Sequence, residues 1–242
     1  MMGHVLFLLI FNLFFPAQAL SQTNPYHDVD DLMTFGENLE RDKQSLAVVE
    51  KSLVKYGSTY QFLWRASRAC YFVGDQVAEA EKTRFFERGI ETGQRAIALE
   101  PNAVEGHFWL AANYGGLAEQ KGPFRALQLI KKIRAGMETV LQLNEVYQNG
   151  AAYLALGEID RRLPGIIGGN LDRAISRLEK GISVAPNNLE IKLSLAEAYL
   201  ERKRKEDARR LLLVIVNWPS DRTLSKSDRN IQDQARQKLS KL

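Results

Sequence analysis

Few residues of this 242-residue chain have side chains of the kinds that bind metal ions or take part in catalysis. The histidines are His4, His27 and His107, and no two of them have the spacing of metal ligands. His27 is followed closely by three aspartates, which could bind a cation. A solvated helix start explains the same cluster, because acidic side chains stabilise helix N-termini. The sequence therefore predicts no metal site, no cofactor and no catalytic residue.

The single cysteine, Cys70, lies inside an apolar run, so no disulfide can form within the chain. A reactive thiol needs a partnered base or cation, and the sequence places none beside it. We expect a buried, inert thiol. His107 stands next to Phe108 and Trp109, where a packed or hydrogen-bonded imidazole is the default interpretation.

The segment Pro164–Asn170 contains three glycines, which invites comparison with phosphate-binding loops. It lacks the Gly-Lys-Ser/Thr ending and a preceding strand, so it is not a P-loop. We expect the glycines to supply unusual backbone angles and Asn170 to cap a helix over Leu171–Val184. A contact surface is the alternative role for this loop.

Composition and charge exclude several classes of protein. The chain is 45% hydrophobic and 26% charged, which are ordinary values for a globular protein. Residues 201–242 carry a net charge of +6, so the overall charge of +4 leaves −2 on residues 1–200. This basicity is too mild for a nucleic-acid footprint. The mixed charges of Glu201–Arg210 favour a solvated helix turn, with an anionic membrane surface or an acidic partner as alternatives.

The N-terminal segment predicts export. Val5–Phe15 is an apolar run of 11 residues, shorter than the ~20 that cross a bilayer. Ala17-Gln18-Ala19 follows, a pattern that signal peptidase accepts, so we predict cleavage after Ala19 and a periplasmic or secreted protein. The first residues carry no Lys or Arg, and an uncleaved membrane anchor is the alternative. The predicted divisions are a signal peptide (1–19), a lead-in (20–36), a helical repeat domain (37–219) and a capping helix (220–242).

The remainder of the chain has the periodicity of helices, and part of it repeats. Arg95–Asn102 and Lys180–Asn187 each end a helix in Pro-Asn and precede an apolar helix. Ala174 and Ala208, which open two successive second helices, are 34 residues apart.

These features resemble the tetratricopeptide repeat, which has two antiparallel helices in 34 residues. Leu195-Ala196 with Tyr199 matches its signature, and Leu110-Ala111 with Tyr114 does so too, whereas Asp160 stands where a third aromatic belongs. The resemblance implies an all-α solenoid of about four degenerate helix pairs, and a generic helical bundle is the alternative. Longer intervals predict insertions around Gly74–Glu87 and Glu119–Ile133.

A narrower resemblance concerns exported bacterial tetratricopeptide proteins. Leu63–Ala69, Ala126–Leu143 and Arg161–Asn170 are similar to a group that includes the T component of tripartite ATP-independent periplasmic (TRAP) transporters. That resemblance implies a periplasmic solute-binding protein as partner, a small apolar or organic-acid ligand and an option for homo-oligomers. The chain lacks the N-terminal lipid-anchoring Cys of the better-known member. The regulator-of-microtubule-dynamics family is similar too, through Leu63–Ala69 and the basic C-terminal helix, but the loop and the signal peptide favour the first group.

In such a solenoid, fixed positions of each first helix line an inner groove. Aromatic anchors beside arginines suit a peptide terminus, an extended partner segment or an apolar acid. Alternatively, the insertions fill the groove and these residues belong to the core. The candidate binding residues are Trp64, Arg68, Tyr71, Phe108, Ala112, Leu154, Glu158 and Arg161.

The sequence thus predicts a non-catalytic, exported binding or adaptor protein, with a TRAP-type transport component as the leading hypothesis. A periplasmic scaffold or envelope assembly protein without a small-molecule ligand is the alternative. A transport role predicts an internal apolar cavity near Trp64, Phe108 and Leu154, whereas a scaffold predicts an open groove.

Overall fold

The computed structural model describes residues 26–219 and 225–242, so the predicted signal peptide lies outside the described residues. All regular elements within these ranges are helical. They are α1 (His27–Leu32), α2 (Leu39–Tyr56), α3 (Tyr60–Gln76), α4 (Glu79–Leu99), α5 (Val104–Glu119), α6 (Pro123–Leu143), α7 (Tyr147–Arg162), α8 (Leu171–Val184), α9 (Leu189–Glu201), α10 (Lys205–Val216) and α11 (Lys226–Leu239), with a 3₁₀ turn at Gly165–Ile167.

Local sequence signals set several of these boundaries. The side chains of Asn38, Asn170 and Asn188 each accept a hydrogen bond from the backbone N–H three residues later, as helix caps do. The predicted cap at Asn170 is therefore confirmed. α2 ends at Gly57, whose φ of 85° suits a residue without a Cβ.

Four helix pairs follow one another along the chain: α3 with α4, α5 with α6, α7 with α8, and α9 with α10. Short connections between packed neighbours make each pair antiparallel. α1 and α2 precede the first pair and pack toward α3, while α11 packs on α9 and α10. The all-α solenoid of four helix pairs predicted from the sequence is confirmed.

The helices form two layers that curve. Close contacts join α3 to α5, α7 to α9, and α9 to α11. Among the described residues, no comparable packing joins α4 to α6, α6 to α8, or α8 to α10. Because helices on the inside of a curve lie closer together, the first helices of the pairs form the inner, concave layer.

Small residues allow the two layers to approach each other. A Cβ on Gly157 would lie 2.7 Å from the side chain of Leu178, and one on Gly89 would lie 2.1 Å from that of Asn113. Leu156 and Leu178 are fully buried at this contact. Close packing between α7 and α8 and between α4 and α5 thus requires glycine at positions 157 and 89.

The longer intervals in the sequence correspond to longer second helices. α4 and α6 each have 21 residues, against 14 in α8 and 12 in α10. The backbones of α5 and α7, which flank α6 in the chain, lie farther apart than those of the other neighbouring inner helices, although the rings of Phe108 and Tyr147 meet at a centroid distance of 5.2 Å. The inner layer is therefore parted at this point.

Asp160 replaces the signature aromatic with an ionic contact. Its carboxylate is fully buried and lies 2.6 Å from Arg134, 2.6 Å from Arg173 and 3.2 Å from Arg177. Burial alone would raise the pKa of Asp160, but hydrogen bonds from Arg173 and Arg134 and the neighbouring positive charges outweigh it and lower that pKa. This cluster joins α6, α7 and α8.

In the described part of the chain, no helix combines the length and the apolar composition needed to cross a membrane.

Candidate functional site

A partly open cavity of about 270 Å³ lies on the inner layer, where α5 and α7 part. Its walls come from four helices: α3, α5, α6 and α7. The lining residues are Tyr71, Asp75, Phe108, Ala111, Ala112, Gly115, Gly116, Glu119, Ile133, Met137, Ala151, Leu154 and Ala155.

Small residues of α5 and α7 leave room for this cavity. Ala112 and Ala151 contribute one methyl group each, and no atom outside its own helix lies within 4 Å of the point where a Cβ on Gly115 would stand. Ile133 and Met137 of α6 reach the cavity from the outer layer and are almost fully buried. Most of the lining is thus apolar and held by packing.

The polar groups of the cavity are one hydroxyl and two carboxylates. Within the described residues, Tyr71 has no hydrogen-bond partner, and neither Asp75 nor Glu119 forms a salt bridge. Burial, followed by the negative charges of Asp75, Glu119 and Glu190, raises the pKa of Tyr71 to about 12. The phenol therefore keeps its proton at neutral pH, and the rim of the cavity is acidic.

The structure brings together four of the eight residues predicted as a groove. Tyr71, Phe108, Ala112 and Leu154 all line the cavity. The other four lie elsewhere on the inner layer, in two polar clusters.

Trp64 and Arg68 are covered by the N-terminal helix α1. Asp30 of α1 accepts hydrogen bonds from Arg65 at 2.8 Å and from Arg68 at 2.6 Å. Trp64 is 8% exposed and Arg68 6% exposed, with both guanidinium groups near the indole ring. Burial alone would raise the pKa of Asp30, but hydrogen bonds from Arg65 and Arg68 and their charges outweigh it and lower that pKa. This cluster joins α1 to α3.

Glu158 and Arg161 belong to an ion network between α7 and α9. Arg161 pairs with Glu158 at 2.8 Å, with Glu197 at 2.9 Å, and also with Glu201. Burial alone would lower the pKa of Arg161, but its hydrogen bonds and ion pairs with Glu158 and the other carboxylates raise that pKa. Lys238 of α11 reaches Glu197 at 2.6 Å. The network fixes the last helix pair and α11 to α7.

The sequence interpretation missed the acidic rim and the contribution of α6. Asp75 lies four residues after Tyr71, and Glu119 lies four residues after Gly115, so helical spacing alone could have placed them on the same faces. Ile133 and Met137 could not have been found in this way. They belong to a second helix, and only the parting of α5 from α7 makes them accessible.

The other residues considered for chemistry have structural surroundings. Cys70 is buried, and burial raises the pKa of its thiol to about 12. The Nε2 atom of His107 lies 2.7 Å from the carbonyl oxygen of Pro101. In the described part of the chain, no group of three or more His, Cys, Asp or Glu residues is arranged to hold a metal ion.

Two family models match the sequence. The model described as Regulator of microtubule dynamics protein 1-3 matches residues 26–157, more than half of the chain. A tetratricopeptide repeat model matches residues 167–224. No curated protein matches the chain significantly.

Solved structures share the fold. TTC0263, a thermophilic tetratricopeptide repeat protein of Thermus thermophilus, aligns with a TM-score of 0.64 at 19% identity, over 88% of this chain and 98% of that chain. MamA aligns with a TM-score of 0.53 at 16% identity, over 84% and 93% of the two chains. MamA from Desulfovibrio magneticus RS-1 aligns with a TM-score of 0.52 at 13% identity, over 72% and 82%. These similarities establish the tetratricopeptide architecture.

Proposed function

Since this chain belongs to the family of the regulators of microtubule dynamics 1–3, we propose that it is a non-catalytic adaptor whose concave groove binds an extended segment of a protein partner. Tetratricopeptide solenoids present such a concave surface for binding. A family named for the regulation of microtubule dynamics is compatible with action through another protein.

The cavity between α3, α5, α6 and α7 is the observation that carries this proposal. Its volume of about 270 Å³ lies just below the roughly 300–1,000 Å³ of small-molecule sites. A cavity of this size accommodates one anchoring side chain of a partner. Tyr71 and Phe108 supply the aromatic surface that such anchors contact in protein interfaces.

Selection from a library of random peptides displayed on phage tests the proposal. Gly115→Trp should place an indole ring in the cavity, because a Cβ at this position would meet no atom outside its own helix within 4 Å. Gly115→Ala is the matched control, since it alters the same residue and leaves most of the cavity empty. We expect peptides selected on the wild-type protein to bind Gly115→Ala and to lose binding to Gly115→Trp. Peptides that bind all three proteins equally would contradict the proposal.

A component of TRAP-type transport is a second candidate function, favoured by one observation. The apolar cavity adjoins Phe108 and Leu154, although Trp64 lies outside it. This candidate predicts that a small apolar ligand and a periplasmic solute-binding protein bind the chain. Native mass spectrometry of protein purified from its own organism tests it. A co-purifying small molecule that Gly115→Trp excludes supports the candidate, and ligand-free wild-type protein counts against it.

Export is a proposal that rests on the sequence of residues 1–19. Two measurements on the protein from its own cells test export: its intact mass, and the cell fraction in which it is found. A mass that corresponds to a chain starting at Leu20 in the periplasm or medium supports cleavage after Ala19. A chain that retains Val5–Phe15 and sediments with membranes supports the uncleaved anchor instead.

A further inference from the structure

The arginines of the inner layer are already paired. Arg68 donates to Asp30 at 2.6 Å, and Arg161 is surrounded by Glu158, Glu197 and Glu201. Three carboxylates surround Arg161, so an organic acid or a peptide carboxylate would have to displace a partner already in place there. Asp30 is shared by Arg65 and Arg68, whose guanidinium groups are buried in the cluster with α1 and do not line the cavity.

The carboxylates at the cavity have no such partners. Asp75 and Glu119 line the cavity, and Glu190, at the start of α9, is close enough for its charge to act on Tyr71. Within the described residues, none of these three forms a salt bridge. Desolvation, followed by the charge of Asp228, raises the pKa of Glu190. The groove therefore gathers carboxyl groups that no described side chain pairs with in a salt bridge.

The hydroxyl of Tyr71 adds a hydrogen-bonding group inside the apolar lining. Within the described residues it has no hydrogen-bond partner, while its ring contacts Trp109 and Phe72 at centroid distances of 6.0 Å and 5.2 Å. The ring is fixed by packing, so the hydroxyl can donate to a backbone carbonyl of an extended segment without reorganisation.

We propose that the groove selects a cationic segment of a partner protein, with one aliphatic or aromatic side chain in the cavity and Lys or Arg residues on both sides of it, facing Asp75, Glu119 and Glu190. This inference rests on the proposed adaptor function and names the chemistry of the partner. An extended segment fits because the apolar cavity and the carboxylates are separate subsites that successive side chains can occupy.

Fluorescence anisotropy with defined peptides tests the proposal. The probe is a labelled decapeptide with a central leucine, two lysines on each side, and serine and glycine elsewhere. Two matched peptides replace the lysines with glutamine or with glutamate. At low salt, we expect the lysine peptide to bind about ten-fold more tightly than the glutamine peptide, because several partly screened charge pairs act together. The glutamate peptide should bind more weakly still.

Variants that neutralise the two cavity carboxylates test whether the preference for lysine arises there. Asp75→Asn/Glu119→Gln should remove most of the preference for lysine over glutamine. The matched control, Glu79→Gln/Glu206→Gln, removes the same charge from exposed positions of α4 and α10 and should keep the preference. Thermal melting by circular dichroism verifies that every variant is folded.

The outcomes separate this inference from the proposed function. If the glutamine or glutamate peptide binds as tightly as the lysine peptide, and Gly115→Trp abolishes that binding, the groove binds peptides but the cationic preference is refuted. If the preference survives in Asp75→Asn/Glu119→Gln, the inference is refuted as well. If Gly115→Trp leaves the binding of all three peptides unchanged, the proposed function fails together with it.

Discussion

Asp160 shows how a buried ionic contact can replace an aromatic residue of the repeat signature. Its buried carboxylate contacts three arginines from α6 and α8, where a typical repeat has an aromatic ring. Asp160→Asn leaves those guanidinium groups without their shared counter-charge. We expect a loss of about 3 kcal/mol in the free energy of unfolding, because removal of one partner from a buried ion cluster is costly.

Urea denaturation followed by circular dichroism measures this loss. Asp172→Asn is the matched control, since Asp172 is also paired with an arginine but is exposed. The control should unfold near the wild-type midpoint. Equal midpoints for Asp160→Asn and the wild type would show that the cluster contributes nothing to stability.

The lowered pKa values of two carboxyl groups in ion clusters, Asp30 and Asp160, predict acid sensitivity. Asp30 and Asp160 both have folded-state pKa values below their ordinary values. Their contribution to stability is thus fully present above the unfolded-state pKa and is lost as the pH falls through the folded-state value. Urea midpoints measured from about pH 6 to about pH 2.5 should fall more steeply for the wild type than for Asp160→Asn. Parallel curves would contradict this assignment.

Two adjacent glycines of α5 predict opposite mutational effects. A Cβ on Gly116 would lie 2.3 Å from the ring of Phe86, whereas one on Gly115 would meet nothing within 4 Å. Gly116→Ala should therefore destabilise the protein by about 1–3 kcal/mol through overpacking. Gly115→Ala should stabilise it by about 0.5–1 kcal/mol, since alanine favours the helix. Thermal unfolding of the two variants checks the assignment, and the reverse order would contradict the placement of the cavity.

At the scale of elements, α11 occupies the position that the first helix of a further pair would take. Ile231 and Ala235 are buried against Leu212 and Ile215 of α10. A chain truncated after Pro219 would expose this apolar face, and terminal repeats need a polar outer surface. We expect the truncated protein to melt at a lower temperature and to self-associate.

Analytical ultracentrifugation and thermal melting of the truncated chain test the role of α11. Gln237→Ala, at an exposed position of α11, should behave as the full-length chain does. A truncated protein with the wild-type melting temperature and sedimentation would show that α11 is not a cap.

Helical periodicity and cap residues predict the elements well because both are local. The helix after Asn170 and the end of α2 at Gly57 follow directly from neighbouring residues. The burial of Trp64 and Arg68 beside α1 could not be predicted in this way. It depends on Asp30, which meets Arg68 across 38 positions of the sequence, and no periodic pattern records that contact.

At the scale of the whole molecule, the stacking of the helix pairs creates a cavity that no single residue or helix predicts. Tyr71, Phe108, Ala112 and Leu154 could be predicted as one surface, because equivalent positions of stacked repeats fall on one side. The parting of α5 from α7 depends on how successive pairs stack, so the cavity and its α6 residues follow only from the assembled solenoid. The separation of α5 from α7 thus turns a row of inner positions into an apolar pocket with an acidic rim.

Methyl NMR of protein labelled at methionine tests the central claim, that the cavity is the binding site, most directly. Within the described residues the two methionines are Met137, which lines the cavity, and Met33, which is buried in the N-terminal cluster. Addition of a peptide selected by display should shift the Met137 methyl resonance and leave that of Met33 unchanged. A bound peptide that shifts Met33 alone, or neither resonance, would contradict the account.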